Sequence, residues 1–157
     1  MNEKEEQLMT THETVAVPAD DEWFELEVDN DIDPMDVVRT AGYDLKDWKY
    51  LGPKLEGKQK YRAKLIHLGY VGNLAEAREC ADKIGYRLLE GQAREPFKKK
   101  YPKPDRSPVI FGGSGWQRLG GRAIAACLRA FGIEWDSDFH WSGHGFFENC
   151  RWAAVSK

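Results

Sequence analysis

Two histidines in the last quarter of the chain, His140 and His144, are the side chains with the clearest capacity for chemistry. Three further potential metal ligands lie near them in the sequence: Asp136, Asp138 and Cys150. Imidazole and carboxylate groups suit zinc or iron, so one hypothesis is a metal-dependent hydrolase site. Glycine, serine and aromatic residues dominate residues 135–147 and favour loop and strand over the helix that an i, i+4 histidine pair needs. We therefore expect two exposed histidines in a binding loop, and neither a metal nor another cofactor.

A glycine-rich segment at residues 112–116 (GGSGW) follows a short β-type run at residues 109–111 and predicts a turn. A phosphate-binding P-loop needs Lys-Ser or Lys-Thr after its last glycine, and Trp116-Gln117 stands there instead. The spacing also differs from the GxGxxG of dinucleotide-binding loops. In the GxSxG elbow of hydrolases the second glycine comes one place later than it does after Ser114. These departures argue against an enzyme, and we predict none.

Aromatic residues are concentrated in the last third of the chain, where glycine, serine and aspartate separate them. Aromatic side chains provide large rigid contacts and small polar residues provide adaptable hydrogen bonds, so this composition is typical of binding surfaces. Some of the apolar side chains must instead face the core, and we expect the following to do so: Trp116, Trp135, Trp152 and Val155. Residues 136–147 are then predicted to form a binding surface.

Patterns in the first half of the chain predict the elements that hold this surface. Apolar residues alternate with glutamates over residues 23–28, which indicates a strand with one buried face. A proline at the start and a glycine at the end bound a short helix over residues 34–41. Residues 48–51 and 60–68 are rich in apolar and aromatic residues and are separated by turn signals, so we predict that they form a β-hairpin.

The middle of the chain contains the strongest helix signal. Asn73 and Gly85 bound an amphipathic segment with apolar residues at helical spacing. A short apolar piece at residues 86–89 follows, and then a weaker helical stretch that ends near residue 101. Three prolines, Pro102, Pro104 and Pro108, exclude a regular element beyond that point and predict a linker between two halves of the chain.

The charge is divided unevenly. Residues 1–36 hold 13 acidic residues against one lysine, a net charge of -12, whereas residues 37–157 hold 13 acidic against 22 basic residues, a net charge of +9. We expect residues 1–20 to be a disordered acidic tail. The alternative function is a basic nucleic-acid-binding domain that its acidic arm autoinhibits, with phosphate contacts from these residues: Arg94, Lys98, Lys99, Lys100, Lys103 and Arg106.

Length and cysteine content bound the organisation further. The 157 residues suit one domain, which we place at residues 21–157. The chain has no apolar run of membrane-spanning length, and its first ten residues lack the features of a secretory signal, so we expect a cytoplasmic protein that does not contact membranes. Its three cysteines, Cys80, Cys127 and Cys150, are expected to be free thiols.

Three parts of the last third together form a family pattern. They are an apolar strand leading into Gly112-Gly113-Ser114-x-Trp116, a small-apolar segment at residues 123–128 followed by Trp135, and a terminal Cys150-Arg151-Trp152-Ala153-Ala154-Val155. This pattern resembles the formylglycine-generating-enzyme-like branch of the C-type-lectin fold. Within that branch it is similar to the variable target proteins of diversity-generating retroelements.

The resemblance implies an α+β protein with a C-type-lectin-like mixed sheet, two or three helices and a disordered acidic N-terminal arm. Residues 108–157 would be its ligand-binding region. Enzymes of this branch use a cysteine pair with copper or calcium nearby. Because Cys127 and Cys150 match no such pattern, oxidase chemistry is not carried over to this chain.

In the retroelement targets, the varied residues lie on an exposed face between the GGS-x-W segment and the last strand. The resemblance therefore implies that a protein ligand, whose identity is unknown, contacts these residues: Gln117, Arg118, Glu134, Asp136, Ser137, Asp138, Phe139, His140, Trp141, Ser142, His144, Phe146 and Phe147. Trp116, Arg151 and Trp152 would be scaffold. On this basis we expect alanine at Phe139, Trp141 or His144 to abolish binding with little change in melting temperature.

Overall fold

The computed structural model describes residues 16–106, 108–141 and 145–157 of the chain. These residues form a mixed α+β structure with an eight-stranded sheet in the order β1-β3-β8-β5-β6-β7, in which β2 pairs with β5 and β4 with β8. The elements are β1 (Phe24–Asp29), α1 (Met35–Thr40), β2 (Trp48–Leu51), β3 (Lys58–Ile66), α2 (Leu74–Lys83), β4 (Tyr86–Leu88), a 3-10 turn (Gly91–Ala93), α3 (Arg94–Lys100), β5 (Val109–Arg118), β6 (Ile124–Phe131), β7 (Glu134–His140) and β8 (Arg151–Ser156). None of the described helices is long and apolar enough to cross a membrane.

The elements with strong local signals form as predicted. β1 alternates buried apolar residues with exposed glutamates, because one face of the strand lies on the core. Asn73 begins α2, and its side-chain oxygen accepts a hydrogen bond from the Glu76 N–H at 2.8 Å. Gly85 ends this helix with φ of +89°, a conformation that suits glycine. These predictions of a strand and an amphipathic helix are confirmed.

The predicted hairpin between residues 48–51 and 60–68 is wrong. β2 pairs with β5, with Trp48 opposite Arg118, whereas β3 pairs with β1 and β8. The turn before β3 is attached to the end of β1: the Asn30 N–H donates to the Gly57 carbonyl at 3.0 Å, and the Gly57 N–H donates to the Asp31 carboxylate at 2.9 Å. These bonds align β3 with β1. The glycines and proline between β2 and β3 therefore reverse the chain without pairing the two strands that they connect.

The GGSGW segment lies inside β5 and is not the predicted turn. Its glycines are needed because the chain after β4 crosses β5 at very short range. A Cβ on Gly113 would lie 2.2 Å from the Leu88 carbonyl oxygen, and a Cβ on Gly91 would lie 2.4 Å from the Trp116 ring. The motif therefore provides close approach between two backbone segments.

We expect Gly113→Ala to lower the free energy of unfolding by about 3 kcal/mol, at the upper end of the usual cost of overpacking. The added methyl group meets backbone, which cannot move aside as a side chain can. Gly72→Ala is a suitable control, since its Cβ would meet only the end of the Glu76 side chain, at 3.0 Å. Urea denaturation of both variants tests this, and equal loss of stability in the two would contradict it.

The proline-rich stretch does not divide the described chain into two halves. β8, at the end of the sequence, pairs antiparallel with β3 and β4 and parallel with β5, so the sheet joins the first and last thirds. Three apolar clusters form the core around this sheet. The residues predicted to face the core are all buried, as expected: Trp116, Trp135, Trp152 and Val155.

The segment before β1 contacts the body of the protein. Residues 1–15 of the predicted acidic tail lie outside the described residues. Residues 16–20, which we expected to be disordered with them, make defined contacts: Val17 packs against the core, and the Asp20 carboxylate lies 2.8 Å from both His67 Nε2 and Arg106 Nη2.

Candidate functional site

A cavity of about 680 Å³ opens between the start of α2, the turn that joins β5 to β6, and the end of β7. We call it the α2–β7 groove and define it by the residues that line it: Gly72, Asn73, Leu74, Ala75, Arg118, Gly121, Arg122, Ala123, Ile124, His140, Trp141 and Phe146. Strand pairing explains why these segments meet. Ala125 lies opposite His140, and Ile124 opposite Trp116, so the end of β5, the start of β6 and the end of β7 share one edge region.

The β5–β6 turn holds two arginines at the rim of the groove. Leu119 and Gly120 both have positive φ, +54° and +70°, and the Gly121 N–H donates to the Arg118 carbonyl at 3.0 Å. This is the geometry of a type I′ turn, which matches the twist of a hairpin. Arg118 stands before the turn and Arg122 directly after it, and both side chains are exposed.

Trp141 is the exposed edge of an aromatic cluster that extends into the core. It is 43% exposed, yet its ring lies 5.5 Å from Trp48 and 5.7 Å from Tyr43, and its indole N–H donates to the Tyr43 hydroxyl at 3.2 Å. The Tyr43 hydroxyl in turn donates to the Asp138 carboxylate at 3.1 Å. Burial, followed by the charge of Asp138, raises the pKa of Tyr43. These contacts hold Trp141 rigidly at the mouth of the groove.

His140 forms the inner wall of the groove. Its ring stacks on Phe146 at 4.2 Å, and Phe146 packs against Trp152 at 4.9 Å. A pair of backbone hydrogen bonds with Val71 holds Phe146 in place beside the start of α2. His140 is only 7% exposed, and its Nδ1 has no hydrogen-bond partner among the described residues. The stack therefore carries a polar atom without a partner.

The buried position of His140 makes stability depend on pH. Burial, with a further contribution from the positive charge of Arg129, lowers the pKa of His140 from 6.5 to about 4. The unfolded chain binds a proton at this residue more readily than the folded chain does, so stability is complete above pH 6.5 and is lost progressively as the pH falls towards 4. We expect His140→Gln to lose less stability than the unsubstituted protein between pH 7.5 and 4.5 in urea denaturation. Identical pH profiles would contradict this.

The structure brings together four of the residues predicted to contact a ligand: Arg118, His140, Trp141 and Phe146 all line the α2–β7 groove. Gln117 adjoins it, and its side chain donates to the Gly121 carbonyl at 2.6 Å. Phe147 is exposed and packs against Tyr70, with ring centroids 6.3 Å apart.

Two further predicted contacts, Glu134 and Asp136, lie at the opposite end of the β6–β7 hairpin. Both are exposed. Six residue-to-residue steps of strand, roughly 20 Å at about 3.3 Å per step, separate Glu134 from His140. The predicted residues therefore do not form one continuous patch, and Ser142 and His144 lie outside the described residues.

Several residues predicted to be exposed are buried. Phe139 has no exposed surface, and Ser137, His140 and Phe146 are also buried. Alternation along β7 explains two of them, because Ser137 and Phe139 face inward with Trp135 while Glu134 and Asp136 face solvent. His140 has the strand position of the outward residues and is instead buried against Phe146, on which its ring stacks. The prediction of an exposed His140 and an exposed Phe139 is wrong, while ligand contact at the groove stays a prediction. Asp138 is partly buried and pairs with Arg129, with 3.7 Å between the charged groups.

The structure also describes residues behind two other hypotheses, a metal site and a nucleophilic serine. Among the described residues, no group of three or more His, Cys, Asp or Glu side chains could hold a metal ion. Ser114 is fully buried; its hydroxyl accepts a hydrogen bond from the Gly91 N–H at 2.8 Å and donates one to the Gln92 side chain at 3.1 Å. The Ser114 hydroxyl therefore holds β5 to the segment that follows β4.

The basic cluster expected to contact phosphate is largely engaged within the protein. Arg94 is fully buried. Lys98 donates to the Ser137 hydroxyl at 3.2 Å, Lys100 to the Glu25 carbonyl, and Arg106 to Asp20. Lys99 and Lys103 are exposed. The predicted phosphate contact from Arg94 is wrong, because its guanidinium has no access to solvent.

Sequence reasoning missed the half of the groove that α2 and Arg122 provide. Asn73 was identified only as the cap of a helix. Arg122 follows a Gly-Gly pair, and this pair could have indicated a tight turn that returns the chain beside Arg118. No sequence signal indicates that α2 begins beside the end of β7, because that contact is formed by tertiary packing.

Comparison with known proteins adds no further constraint: no family model, no curated protein and no solved structure matches the chain.

Proposed function

We propose that the chain is a ligand-binding protein that presents the α2–β7 groove to a protein partner, on a C-type-lectin-like scaffold of the kind that diversity-generating retroelements vary. The observation that carries this proposal is the convergence of Arg118, His140, Trp141 and Phe146 on one cavity of about 680 Å³. All four belong to the segment that the sequence pattern singled out for ligand contact. A cavity of this size falls within the range of about 300–1,000 Å³ that is common for binding pockets.

The rim of the groove has two features typical of binding surfaces. Trp141 is a partly exposed aromatic residue that its neighbours already immobilise, so a partner that covers it loses little conformational entropy. Leu119 is 72% exposed and adopts a φ of +54°, which is unfavourable for a residue with a side chain. Backbone strain of this kind clusters at functional sites, and Leu119 directly follows the lining residue Arg118.

The buried scaffold residues are different from the exposed groove residues, which supports the proposal that the groove residues vary. Trp116, Arg151 and Trp152 are fully buried, and Arg151 donates to both oxygens of the Asp105 carboxylate, at 3.0 and 2.9 Å. Arg118 and Trp141 lie at strand ends with exposed side chains. Substitution at these outer positions leaves the core contacts of the sheet intact, so the surface can change while the fold is kept.

Deep sequencing of the gene region that encodes residues 108–157, across a clonal population of its host, tests the proposal. We expect substitutions to concentrate in the codons for exposed groove residues, such as Arg118 and Trp141, with the codons for Trp116, Phe139 and Trp152 unchanged. Variation spread evenly over both groups, or a uniform sequence, would contradict diversification of this surface.

A further inference from the structure

We infer that the α2–β7 groove recognises the C-terminal carboxylate of a peptide that ends in an apolar residue. This inference rests on the proposed function and names the chemical class of its ligand. Four features of the groove support it: the charge of its rim, the start of α2, the unpartnered atom of His140 and the apolar walls. The first two favour an anion, the third indicates a polar partner, and the fourth favours an apolar side chain beside it.

The charge of the groove is entirely basic among the described residues that line it. Arg118 and Arg122 are the charged lining residues, and neither Asp nor Glu is present. Within the described part of the chain, neither guanidinium forms a salt bridge. Arginine binds carboxylates in a planar, bidentate geometry, so two unpaired arginines at one rim favour a carboxylate ligand.

The start of α2 contributes residues whose backbone N–H groups lie in the first helical turn beside the same cavity. Asn73 accepts hydrogen bonds from the N–H groups of Glu76 and Ala77, at 2.8 and 3.1 Å. The N–H groups of Leu74 and Ala75 come earlier in the first turn, take no part in these bonds, and belong to residues that line the groove. The Glu76 carboxylate is turned to the Gly72 N–H at 2.8 Å. A helix of ten residues has a partial positive charge at this end, which favours an anion.

His140 carries an unpartnered polar atom beside the groove. It lines the groove, more than nine-tenths of it is buried, and its Nδ1 has no partner among the described residues. Buried polar atoms in folded proteins are nearly always hydrogen-bonded, so we expect this ring nitrogen to have a partner outside the described residues.

The remaining walls of the groove are apolar. Leu74, Ile124 and Phe146 are buried side chains that line it, and the Trp141 ring stands at its mouth. An acidic side chain inside a peptide would place polar backbone on both sides against these walls. The last residue of a peptide instead carries its carboxylate and its side chain on one carbon atom, so a C-terminal apolar residue satisfies the charged rim and the apolar walls together.

The test uses N-acetyl-leucine, which reproduces such a C-terminus, and N-acetyl-leucine amide, which has the same shape without the charge. Titration of the full chain is followed through the NMR signal of the Trp141 indole N–H, assigned with Trp141→Phe. We expect N-acetyl-leucine to shift this signal saturably and the amide to bind at least about tenfold more weakly.

Arg118→Gln and Arg122→Gln should each weaken binding of the acid about tenfold. Arg39→Gln, on α1, removes an arginine that does not line the groove and should leave binding unchanged.

Equal binding of the acid and the amide, or no saturable shift with either, would overturn the inference. A loss of the same size in Arg39→Gln would also overturn it, since the effect would then arise from net charge and not from the groove. The proposed function is tested separately by sequence variation at the groove. Variation there with equal binding of acid and amide would retain the ligand-binding function and remove only the carboxylate.

Discussion

Replacement of Phe139 by alanine is expected to lower the free energy of unfolding by about 3–5 kcal/mol, the usual cost of removing a fully buried phenylalanine. The Phe139 ring has no exposed surface and lies 4.9 Å from Trp48 and 5.4 Å from Trp116, between rings that cannot collapse into the space it leaves. The guanidinium of Arg94 also lies 5.3 Å from its centroid. This expectation reverses the one from the sequence, which placed Phe139 on the ligand surface.

Trp141→Ala is the matched control, because it removes a larger aromatic ring two residues further along the chain. Its ring is 43% exposed but contacts Trp48 and Tyr43, so we expect a smaller loss than for Phe139→Ala, about 1–2 kcal/mol, and no change in the cooperativity of unfolding. Urea denaturation at pH 7.5 measures both variants. If Trp141→Ala destabilised the protein as much as Phe139→Ala does, the assignment of one residue to the core and the other to the surface would be wrong.

Arg94→Ala is expected to have an effect of similar size, about 3–5 kcal/mol, for an electrostatic reason. Arg94 is fully buried, and its guanidinium joins three elements: it donates to the Val37 carbonyl and the Thr40 hydroxyl of α1, the latter at 2.9 Å, and to the Asp138 carbonyl of β7 at 3.0 Å. Its Nε also donates to Glu95 at 2.8 Å. Alanine removes all four of these hydrogen bonds. The Thr40 and Ser137 hydroxyls still donate to the Val37 carbonyl and to Glu95, at 3.2 and 2.8 Å, but each buried acceptor left without a donor costs about 1–3 kcal/mol.

Two variants control for the size and the charge of Arg94. Arg94→Met retains most of the side-chain volume and none of the donors, so we expect it to recover only the packing part of the loss. Arg39→Ala removes an exposed arginine that pairs with Asp36 on the same helix, and we expect a change below about 1 kcal/mol. Chemical denaturation of the three variants should show Arg94→Ala to be the least stable. If its stability equalled that of Arg39→Ala, the buried network would contribute little.

The elements predictable from the sequence are those whose signals are local. The alternation in β1 and the Asn73 cap of α2 each depend on a few neighbouring residues, and both are confirmed. The α+β class follows from the same patterns. Strand pairing does not, because it depends on residues distant in sequence: the contact between Gly57 and the end of β1 directs β3 away from β2.

The GGSGW segment and Arg94 show why other features of the fold could not be predicted from the sequence. Position 113 must be glycine because the Leu88 carbonyl, which belongs to another segment, passes too close for a Cβ atom. The neighbouring residues alone suggest a turn, although the chain is extended there. Arg94 appears in the sequence as one cation of a basic cluster, and only its partners on α1 and β7 show that it is internal.

Only part of the candidate site could be predicted from the sequence. Composition indicated a binding segment at residues 136–147, and the family resemblance added Arg118. His140, Trp141 and Phe146 of that segment line one groove together with Arg118. The alternation of β7 turns Ser137 and Phe139 inward, whereas the burial of His140 depends on its stack with Phe146. The contribution of α2 depends on the pairing of Val71 with Phe146, which joins distant parts of the chain.

Site-specific photo-crosslinking in the host cell tests most directly whether the α2–β7 groove contacts a protein ligand. A photoreactive phenylalanine analogue replaces Trp141 in one variant and Phe131 in a control. Phe131 is a 79% exposed aromatic residue at the opposite end of the β6–β7 hairpin. We predict one discrete cross-linked protein from position 141 and none from position 131. Cross-links of equal yield from both positions, or none from position 141, would contradict the assignment of the groove as the ligand-binding site.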